Sequence, residues 1–313
     1  MPEKSSGSLS HAAVEHLQQK VTNASAEVLS RQWSAVGGAA SSRARANALV
    51  DPESLVLMSL TLASSEPRFD DIVSDWTALN ADVLSVQRMR NLASHYPPST
   101  QARLPGLARI AFEEAKDHRW KSLVATSSVT IDHRRNKRRA VRVTSNESAA
   151  LTLRLRLAFG VGIKADLLAF LLCSYETAAT VATIAAITDY TPAAVRRAAR
   201  DLGEAGFVRT VLHAGETTVR YRTISAMWSG LLPRTPKWVD WKARFVFVAS
   251  LLEWSKNARG RQVTEYVVES ALRDLIEEHA VAFETQWPDL AYSPMRSPTQ
   301  NVESFAEALL LDA

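Results

Sequence analysis

Cysteine is nearly absent from this sequence, since Cys173 is the only one in 313 residues. One thiol can form neither an intramolecular disulfide nor a cysteine-based metal site, so we expect Cys173 in an apolar core. Long hydrophobic runs are also missing, because no apolar stretch approaches the roughly 20 residues that a membrane-spanning helix needs. No segment resembles a signal peptide. We therefore expect a cytoplasmic protein that has no membrane partner.

Motifs for catalysis and for cofactor binding are missing as well. Gly160 and Gly162 precede Lys164, but without the glycine spacing and the following Ser or Thr of a phosphate-binding loop. His11 and His16 are five residues apart and lack the glutamate of a helical zinc-protease motif. The sequence therefore predicts neither an enzyme nor a bound cofactor or metal.

The charge and composition of the chain are compatible with nucleic-acid binding but do not require it. The net charge is only +4, although the pI is near 9.3. Hydrophobic residues make up 46% of the chain, which is enough to fill a sizeable core. The length is sufficient for two or three domains.

The most informative stretch is TPAAVRRAARDLGEAGFV, residues 191–208. Thr191 is a good N-cap, and Pro192 suits the first helical position because its missing N–H would have no helical partner. Gly206 then predicts the end of the helix. At about 100° per residue, apolar residues and arginines fall on opposite sides. The apolar side carries Val195, Ala198, Ala199 and Leu202, and the basic side carries Arg196, Arg197 and Arg200.

The segments around this helix predict a small unit of ordered elements. Upstream, residues 164–173 predict a buried helix and residues 180–187 a second short helix, with a tight turn at 188–190. Downstream, residues 208–214 and 217–223 are two β-rich runs around Gly215 and Glu216, which is typical of a hairpin.

This order of elements resembles the winged helix-turn-helix superfamily of bacterial transcription regulators, MarR/ArsR-like in the broad sense. The run FGVGIKADLLAFLL, residues 159–172, also resembles the first helix of regulators found next to minimal nucleotidyltransferases. Two positions depart from the family pattern. Asp189 stands where such turns often have Gly, and Asp tolerates the left-handed conformation better than most residues. Ala199 stands where the packing face usually has Leu, which predicts a thinner core.

The resemblance implies that the helix at 191–205 enters the DNA major groove and that the hairpin at 208–223 touches the backbone or the minor groove. Guanidinium groups pair bidentately with guanine edges or with phosphate oxygens. Two other interpretations stay open, namely a solvated basic face and a protein-binding surface. The expected DNA contacts are Thr191, Arg196, Arg197, Arg200, Arg209, Arg220 and Arg222, with His213 as an addition.

A second concentration of positive charge lies in SVTIDHRRNKRRAVRV, residues 128–143. Such a run repels itself unless a polyanion is near, so we interpret it as a basic ribbon that follows phosphates. An exposed linker with incidental charge is the alternative. The residues expected to contact phosphates are Arg134, Arg135, Lys137, Arg138 and Arg139.

Outside the central unit the chain is predicted to be helical, so the expected fold is a mainly α, multi-domain protein with a central winged helix-turn-helix of three helices and a β-hairpin. Residues 81–92 carry Gln87, Arg88 and Arg90 and could form a second, degenerate helix-turn-helix. The predicted segments are an N-terminal helical arm (1–48), a helical domain (49–125), a basic ribbon or linker (126–150), the winged domain (151–225) and a C-terminal helical domain with a tail (226–313).

The C-terminal segment predicts two long helices, 238–254 and 263–283, and a short one at 302–311. We expect the two long helices to contribute to a homodimer, because palindromic operators require a twofold partner. Trp238, Trp241 and Trp254 are expected in the core, with a small-molecule pocket as the alternative.

The function predicted from the sequence is a dimeric, sequence-specific regulator that binds double-stranded DNA. The rival is an antitoxin-like or scaffold subunit whose winged domain binds a partner protein.

Overall fold

The computed structural model describes residues 4–124, 141–143, 147–174, 177–212, 215, 217–224, 227–228, 234–258, 264–284 and 291–313. These residues form a mainly helical protein with one small antiparallel sheet of three strands, which confirms the predicted class at that level.

The helices of the N-terminal part are α1 (Lys4–Ala35), α2 (Pro52–Leu62), α3 (Arg68–Asn80), α4 (Val86–Ala93), α5 (Pro98–Gln101), α6 (Leu104–Glu113) and α7 (Lys121–Val124). The middle of the chain contains α8 (Leu151–Phe159), α9 (Ile163–Cys173), β1 (Ala179–Thr180), α10 (Val181–Thr188), α11 (Pro192–Glu204), β2 (Val208–Val211) and β3 (Arg220–Thr223). The C-terminal part contains α12 (Trp241–Ala258), α13 (Glu265–Glu278) and α14 (Pro298–Asp312). Short 3-10 turns occur at Ala81–Val83, His118–Trp120, Ser148–Ala150 and Ala280–Phe283.

One hydrophobic core joins helices from both ends of the chain. The long helix α1 packs along α14 and also contacts α2, α12 and α13. In this core Trp33 and Trp76 meet edge to face at 5.4 Å between ring centroids. Their indole N–H groups donate to Ser59 Oγ and to the Val36 carbonyl, so burying both rings leaves no unpaired donor. The predicted arm, the predicted helical domain and the C-terminal segment thus share one core, which we call the helical body.

A smaller second core lies in the α8–β3 unit, residues 151–223. Helices α9, α10 and α11 pack around Leu168, Cys173, Ile184 and Leu202. Cys173 is fully buried, as expected from the sequence, and burial raises the pKa of its thiol. The sheet closes one side of this core in the order β1-β3-β2, both pairs being antiparallel.

Short polar residues begin most of the helices that matter for the site. Asp51 accepts the backbone N–H of Ser54 at the start of α2, and Pro52 is the first helical residue. Thr180 caps α10 in the same way. Ser297 and Gln300 form a reciprocal capping box at the start of α14. Because the cap of α14 lies ahead of its apolar pattern, this helix begins at Pro298, four residues before the predicted start at 302.

Helix α12 lies in the centre of the helical body, which changes its expected role. Only Lys256 and Asn257 are exposed among its 18 residues. Its apolar side chains pack inside the chain, so α12 presents no apolar face to a second copy. Helix α13 keeps Tyr266 80% exposed and Val267 48% exposed, while Val268 and Leu272 are buried. The expectation of self-association therefore remains only for α13.

Candidate nucleic-acid interface

Helix α11 has the boundaries and the cap that its sequence predicts. The hydroxyl of Thr191 accepts the backbone N–H of Ala194 at 3.3 Å, and Pro192 is the first helical residue. The helix ends at Glu204, and Gly206 follows with a φ of +81°, a conformation in which glycine is not strained. The apolar side is buried as predicted: Val195, Ala198, Ala199 and Leu202.

The three arginines of α11 lie on its exposed side. Arg196 and Arg197 form no hydrogen bond or ion pair with any described residue, and Arg200 Nε lies 3.9 Å from Asp201 Oδ1. The closer partner of Asp201 is Lys164, whose Nζ is 2.9 Å from the carboxylate. The hydrogen bond from Lys164 is the main reason why the pKa of Asp201 lies below its ordinary value. Because Lys164 already pairs with this carboxylate, the three guanidinium groups remain accessible.

The turn before α11 is left-handed at Asp189, as the sequence predicts. Asp189 has φ +58° and ψ 28°. The turn is held by both neighbouring parts of the helical body. Lys242 of α12 donates to the Asp189 carboxylate, Asn91 of α4 donates to its backbone carbonyl at 3.4 Å, and Arg88 donates to the carbonyl of Thr188 at 3.3 Å. These contacts fix the position at which α11 begins.

The predicted hairpin pairs in the expected direction, although its strands are shorter than predicted. Arg209 of β2 lies directly opposite Arg222 of β3, and both side chains are exposed. Arg220 projects to the same face, because alternate residues of a strand share a face. Val208 and Thr223 are buried on the other side. Like charges directly opposite in an antiparallel pair destabilise a sheet. Among the described residues, Arg209 and Arg222 form no ion pair on the exposed face of the hairpin, so positive charge is concentrated there.

Several predicted contacts lie outside the described residues. This applies to His213 of the hairpin and to all five members of the basic run: Arg134, Arg135, Lys137, Arg138 and Arg139. At the C-terminal end of that run, Arg142 is paired with Asp82 and donates to the carbonyl of Leu79 at 2.6 Å.

Helix α4 buries one of the three side chains that the sequence allowed to contact DNA in a second helix-turn-helix, while Gln87 and Arg90 are exposed. Arg88 is 5% exposed, and its Nη1 is 2.7 Å from Glu53 while its Nη2 is 2.6 Å from Asp51. The expectation of DNA contact is therefore wrong for this residue. The reason is that Arg88 shares the buried side of α4 with Met89 and Leu92, opposite two buried carboxylates at the start of α2.

A second buried arginine extends this contact into a network between the two cores. Arg156 of α8 has a side chain that is 0% exposed, and it donates to Glu53 at 2.6 Å and to Asp166 of α9 at 2.8 Å. The hydroxyl of Tyr190 donates to Asp166 at 3.1 Å. We call Asp51, Glu53, Arg88, Arg156 and Asp166 the buried ionic network.

Charge pairing dominates the protonation of this network. Burial by itself would raise the pKa of Asp51, but the positive charge and hydrogen bonds of Arg88, together with hydrogen bonds from Ser54, lower it to about 2. Burial opposes ionisation of Glu53 as well, and Arg156 and Arg88 reverse that effect, so its pKa is also lowered. The nearby carboxylates outweigh burial at Arg156, whose pKa is raised well above its ordinary value. Asp51, Glu53, Arg88 and Arg156 are therefore ionised at neutral pH.

The sequence reasoning missed Arg156, Asp166 and helix α8. Leucines alternate with other residues at 151, 153, 155 and 157, a spacing more typical of a strand than of a helix. One signal was available: Arg156 and Asp166 lie in mostly apolar runs whose only other charges are Arg154 and Lys164. Charges in such positions are buried only when they are paired.

The tryptophans of the C-terminal segment have different environments. Trp241 is buried and stacks on Phe245 at 5.2 Å, and Trp254 packs against the main core, as expected. Trp238 is only partly buried and lines a cleft between the helical body and α10. Among the residues that the structure describes, no group of three His, Cys, Asp or Glu side chains is placed to hold a metal ion.

Comparison with known proteins identifies no relative: no family model, no curated protein and no solved structure matches this chain. None of the helices in the described part of the chain combines the length and the apolar composition that crossing a bilayer requires.

Proposed function

We propose that this protein is a sequence-specific, double-stranded-DNA-binding regulator that acts through a winged helix-turn-helix formed by the α8–β3 unit. The support from the fold is the order of elements, with two helices around a tight turn followed by two paired strands, and β1 completing the sheet on β3. Bound near a promoter, such a protein acts by occupancy and blocks or recruits polymerase.

The observation that carries this proposal is the exposed side of α11. Arg196, Arg197 and Arg200 share one side of a helix whose opposite side is buried. A helix of 13 residues is about 20 Å long, and its diameter of about 10–12 Å matches the width of the major groove. Three adjacent guanidinium groups repel one another, and a polyanion removes that repulsion.

The hairpin supports the same proposal independently. Arg209 and Arg222 face each other across the two strands on the exposed face. This arrangement costs stability in the free protein. A phosphate group near both side chains replaces their mutual repulsion by attraction to a shared anion. We therefore assign Arg209 and Arg222 to contact with the DNA backbone, with Arg220 beside them.

The test does not depend on the identity of the operator. Sequences that the full chain binds are selected from a random duplex library, and their affinity is measured by fluorescence anisotropy at several salt concentrations. We expect the triple variant Arg196→Ala, Arg197→Ala, Arg200→Ala to lose specific binding. If all three side chains contact phosphates, the log–log salt slope falls by about 2.7 units.

The matched control removes the same number of positive charges elsewhere. Arg43, Lys256 and Arg273 are exposed and lie outside the α8–β3 unit, so their replacement by alanine should leave affinity nearly unchanged. Equal losses in both triple variants would show that overall charge, not α11, governs binding. Failure of the library to yield a bound sequence would contradict DNA recognition.

A second candidate function is binding of a partner protein by the same unit. Leu157 is 49% exposed and Phe159 37%, and the Phe159 ring contacts Phe207 at 5.5 Å. An apolar surface of this kind is typical of a protein contact. Light scattering of the purified chain gives its oligomeric state. A dimer whose selected DNA sites are palindromic supports a dimeric regulator. A partner protein that purifies with the chain in fixed stoichiometry, without DNA, supports the rival.

A further inference from the structure

A cleft of about 1030 Å³ lies between the helical body and the α8–β3 unit. Helix α10 forms one wall, and the start of α12 with the turn before it forms the opposite wall. The remaining sides come from the turn after α4 and from the end of α13 with its following 3-10 turn. A concave site of this size, at a boundary between two cores, is where small molecules commonly bind.

The positive charges in the cleft are already compensated by residues outside its lining. Lys242 is paired with Asp189, and Arg244 lies 2.8 Å from Asp312. Arg244 is 3% exposed and Asp312 is fully buried, so this pair is shielded from water. Neither cation is therefore available to a ligand without breaking an existing ion pair.

The negative charges in the cleft have fewer partners. Asp240 accepts the backbone N–H of Ala243 at 3.0 Å. Lys242 and Arg244 are close enough to act on it, but Lys242 is paired with Asp189 and Arg244 with Asp312. Burial is the main reason why the pKa of Asp240 is raised, and the charges of Asp51 and Asp189 add to it. Glu278 and Glu284 have no hydrogen-bond or ion-pair partner in the described part of the chain. Glu278 also acts on the neighbouring His279, whose pKa burial lowers. Among the described residues of the lining, the carboxylates without an ion pair are therefore Glu278 and Glu284.

The cleft also has an aromatic wall. Trp238 is partly exposed to it, and Phe170 holds the indole from behind with an edge-to-face contact at 5.0 Å. Ile187 of α10 and Val239 add apolar surface on either side. An aromatic ring beside unpaired carboxylates favours a positively charged organic group, because the ring face and the carboxylates attract the same charge.

We propose that this cleft binds an organic cation with a flat apolar body, placing its protonated amine at Asp240 and its body against Trp238 and Ile187. Glu278 and Glu284 at the rim attract the cation and repel anions of the same shape. The cleft is a different surface from the exposed side of α11, so this proposal does not depend on DNA binding.

Three probes of one shape and different charge test the proposal: 2-naphthylmethylammonium, 2-naphthylmethanol and 2-naphthoate, each titrated into the full chain by calorimetry. We expect the ammonium to bind about tenfold more tightly than the alcohol, as a charge-assisted hydrogen bond predicts. The naphthoate should bind more weakly than either. Equal affinities for the three, a preference for the naphthoate, or no binding of the ammonium would overturn the proposal.

Two matched variants locate the site. Asp240→Asn keeps an oxygen that accepts the N–H of Ala243, so the fold is preserved while the charge is removed. We expect it to weaken the ammonium about tenfold and to leave the alcohol unchanged. The control is Asp274→Asn, since Asp274 is an exposed carboxylate of α13 outside the cleft. If Asp240→Asn and Asp274→Asn bind the ammonium equally well, the assignment to this cleft is wrong.

Discussion

Helices α4 and α11 carry similar sequence signals but place their arginines in opposite environments. Each begins with a hydroxyl cap, Ser85 in α4 and Thr191 in α11, and each has arginines among small and apolar residues. Arg88 is nevertheless buried against two carboxylates, whereas Arg196 is exposed. The difference comes from the segment opposite each helix, because only α4 faces acidic residues at the start of another helix.

This comparison separates two uses of the same side chain. A buried guanidinium must be fully paired, since an unpaired buried charge costs several kcal/mol. The arginines of the buried ionic network therefore join the two cores and are not available to a ligand. The exposed arginines of α11 contribute little to folding and are free to bind. Stability measurements can test this division.

The largest effect is expected for Arg156→Ala. The substitution leaves Glu53 and Asp166 buried without their main partner, and we expect a loss of about 3–5 kcal/mol in the free energy of unfolding. Urea unfolding followed by circular dichroism measures it. The matched control is Arg197→Ala, for which we expect a change within about 0.5 kcal/mol. Similar urea midpoints of unfolding for the two variants would show that burial of the arginine does not determine its contribution to stability.

Two positions of α4 sharpen the comparison within a single helix. Arg88→Ala removes the partner of Asp51, and we expect a loss of about 3 kcal/mol in the free energy of unfolding. Arg90 lies on the exposed side of the same helix and donates to Ser122 at 2.7 Å. Arg90→Ala should therefore change stability by no more than about 0.5 kcal/mol, measured in the same urea titration. A large effect of Arg90→Ala would contradict the assignment.

Acid should remove the stabilisation that the buried ionic network contributes to the fold. The pKa of Asp51 is about 2 in the folded protein and near 3.8 in an unfolded chain. A lowered carboxyl pKa stabilises the fold above pH 4 and loses that contribution as the pH falls toward 2, which for Asp51 alone is about 2 kcal/mol. Thermal unfolding between pH 7 and pH 2.5 measures the loss. The loss of stability on acidification should be smaller in the Arg88→Ala variant. An equal loss in that variant would exclude the pairing of Asp51 with Arg88 as its cause.

The smallest effect is expected at the cap of α11. Thr191→Ala removes the acceptor of the Ala194 N–H, and we expect a loss of about 1 kcal/mol in the free energy of unfolding. Thr191→Ser keeps the acceptor and should be nearly neutral. Urea titration distinguishes the two variants, and an Ala variant as stable as the Ser variant would show that the cap does not stabilise this helix.

Much of the candidate interface was predictable because its determinants are close in sequence. The cap at Thr191, the left-handed Asp189, the end of α11 before Gly206 and the pairing of β2 with β3 all follow from local side-chain and backbone preferences. Strand β1 was missed, because two residues give no periodic signal and their pairing with β3 is a contact between distant segments.

The amino-acid sequence alone determined the helical class, the capped basic helix and its exposed arginines, since hydrogen bonds and periodicity act over a few residues. Only the tertiary structure decided that α1 and α14 share a core and that Arg88 and Arg156 are buried between the two cores. It also decided that Trp238 borders a cleft between the two cores. These features depend on which distant segments meet, and the free energy of burying a charge is set by the partner it finds there.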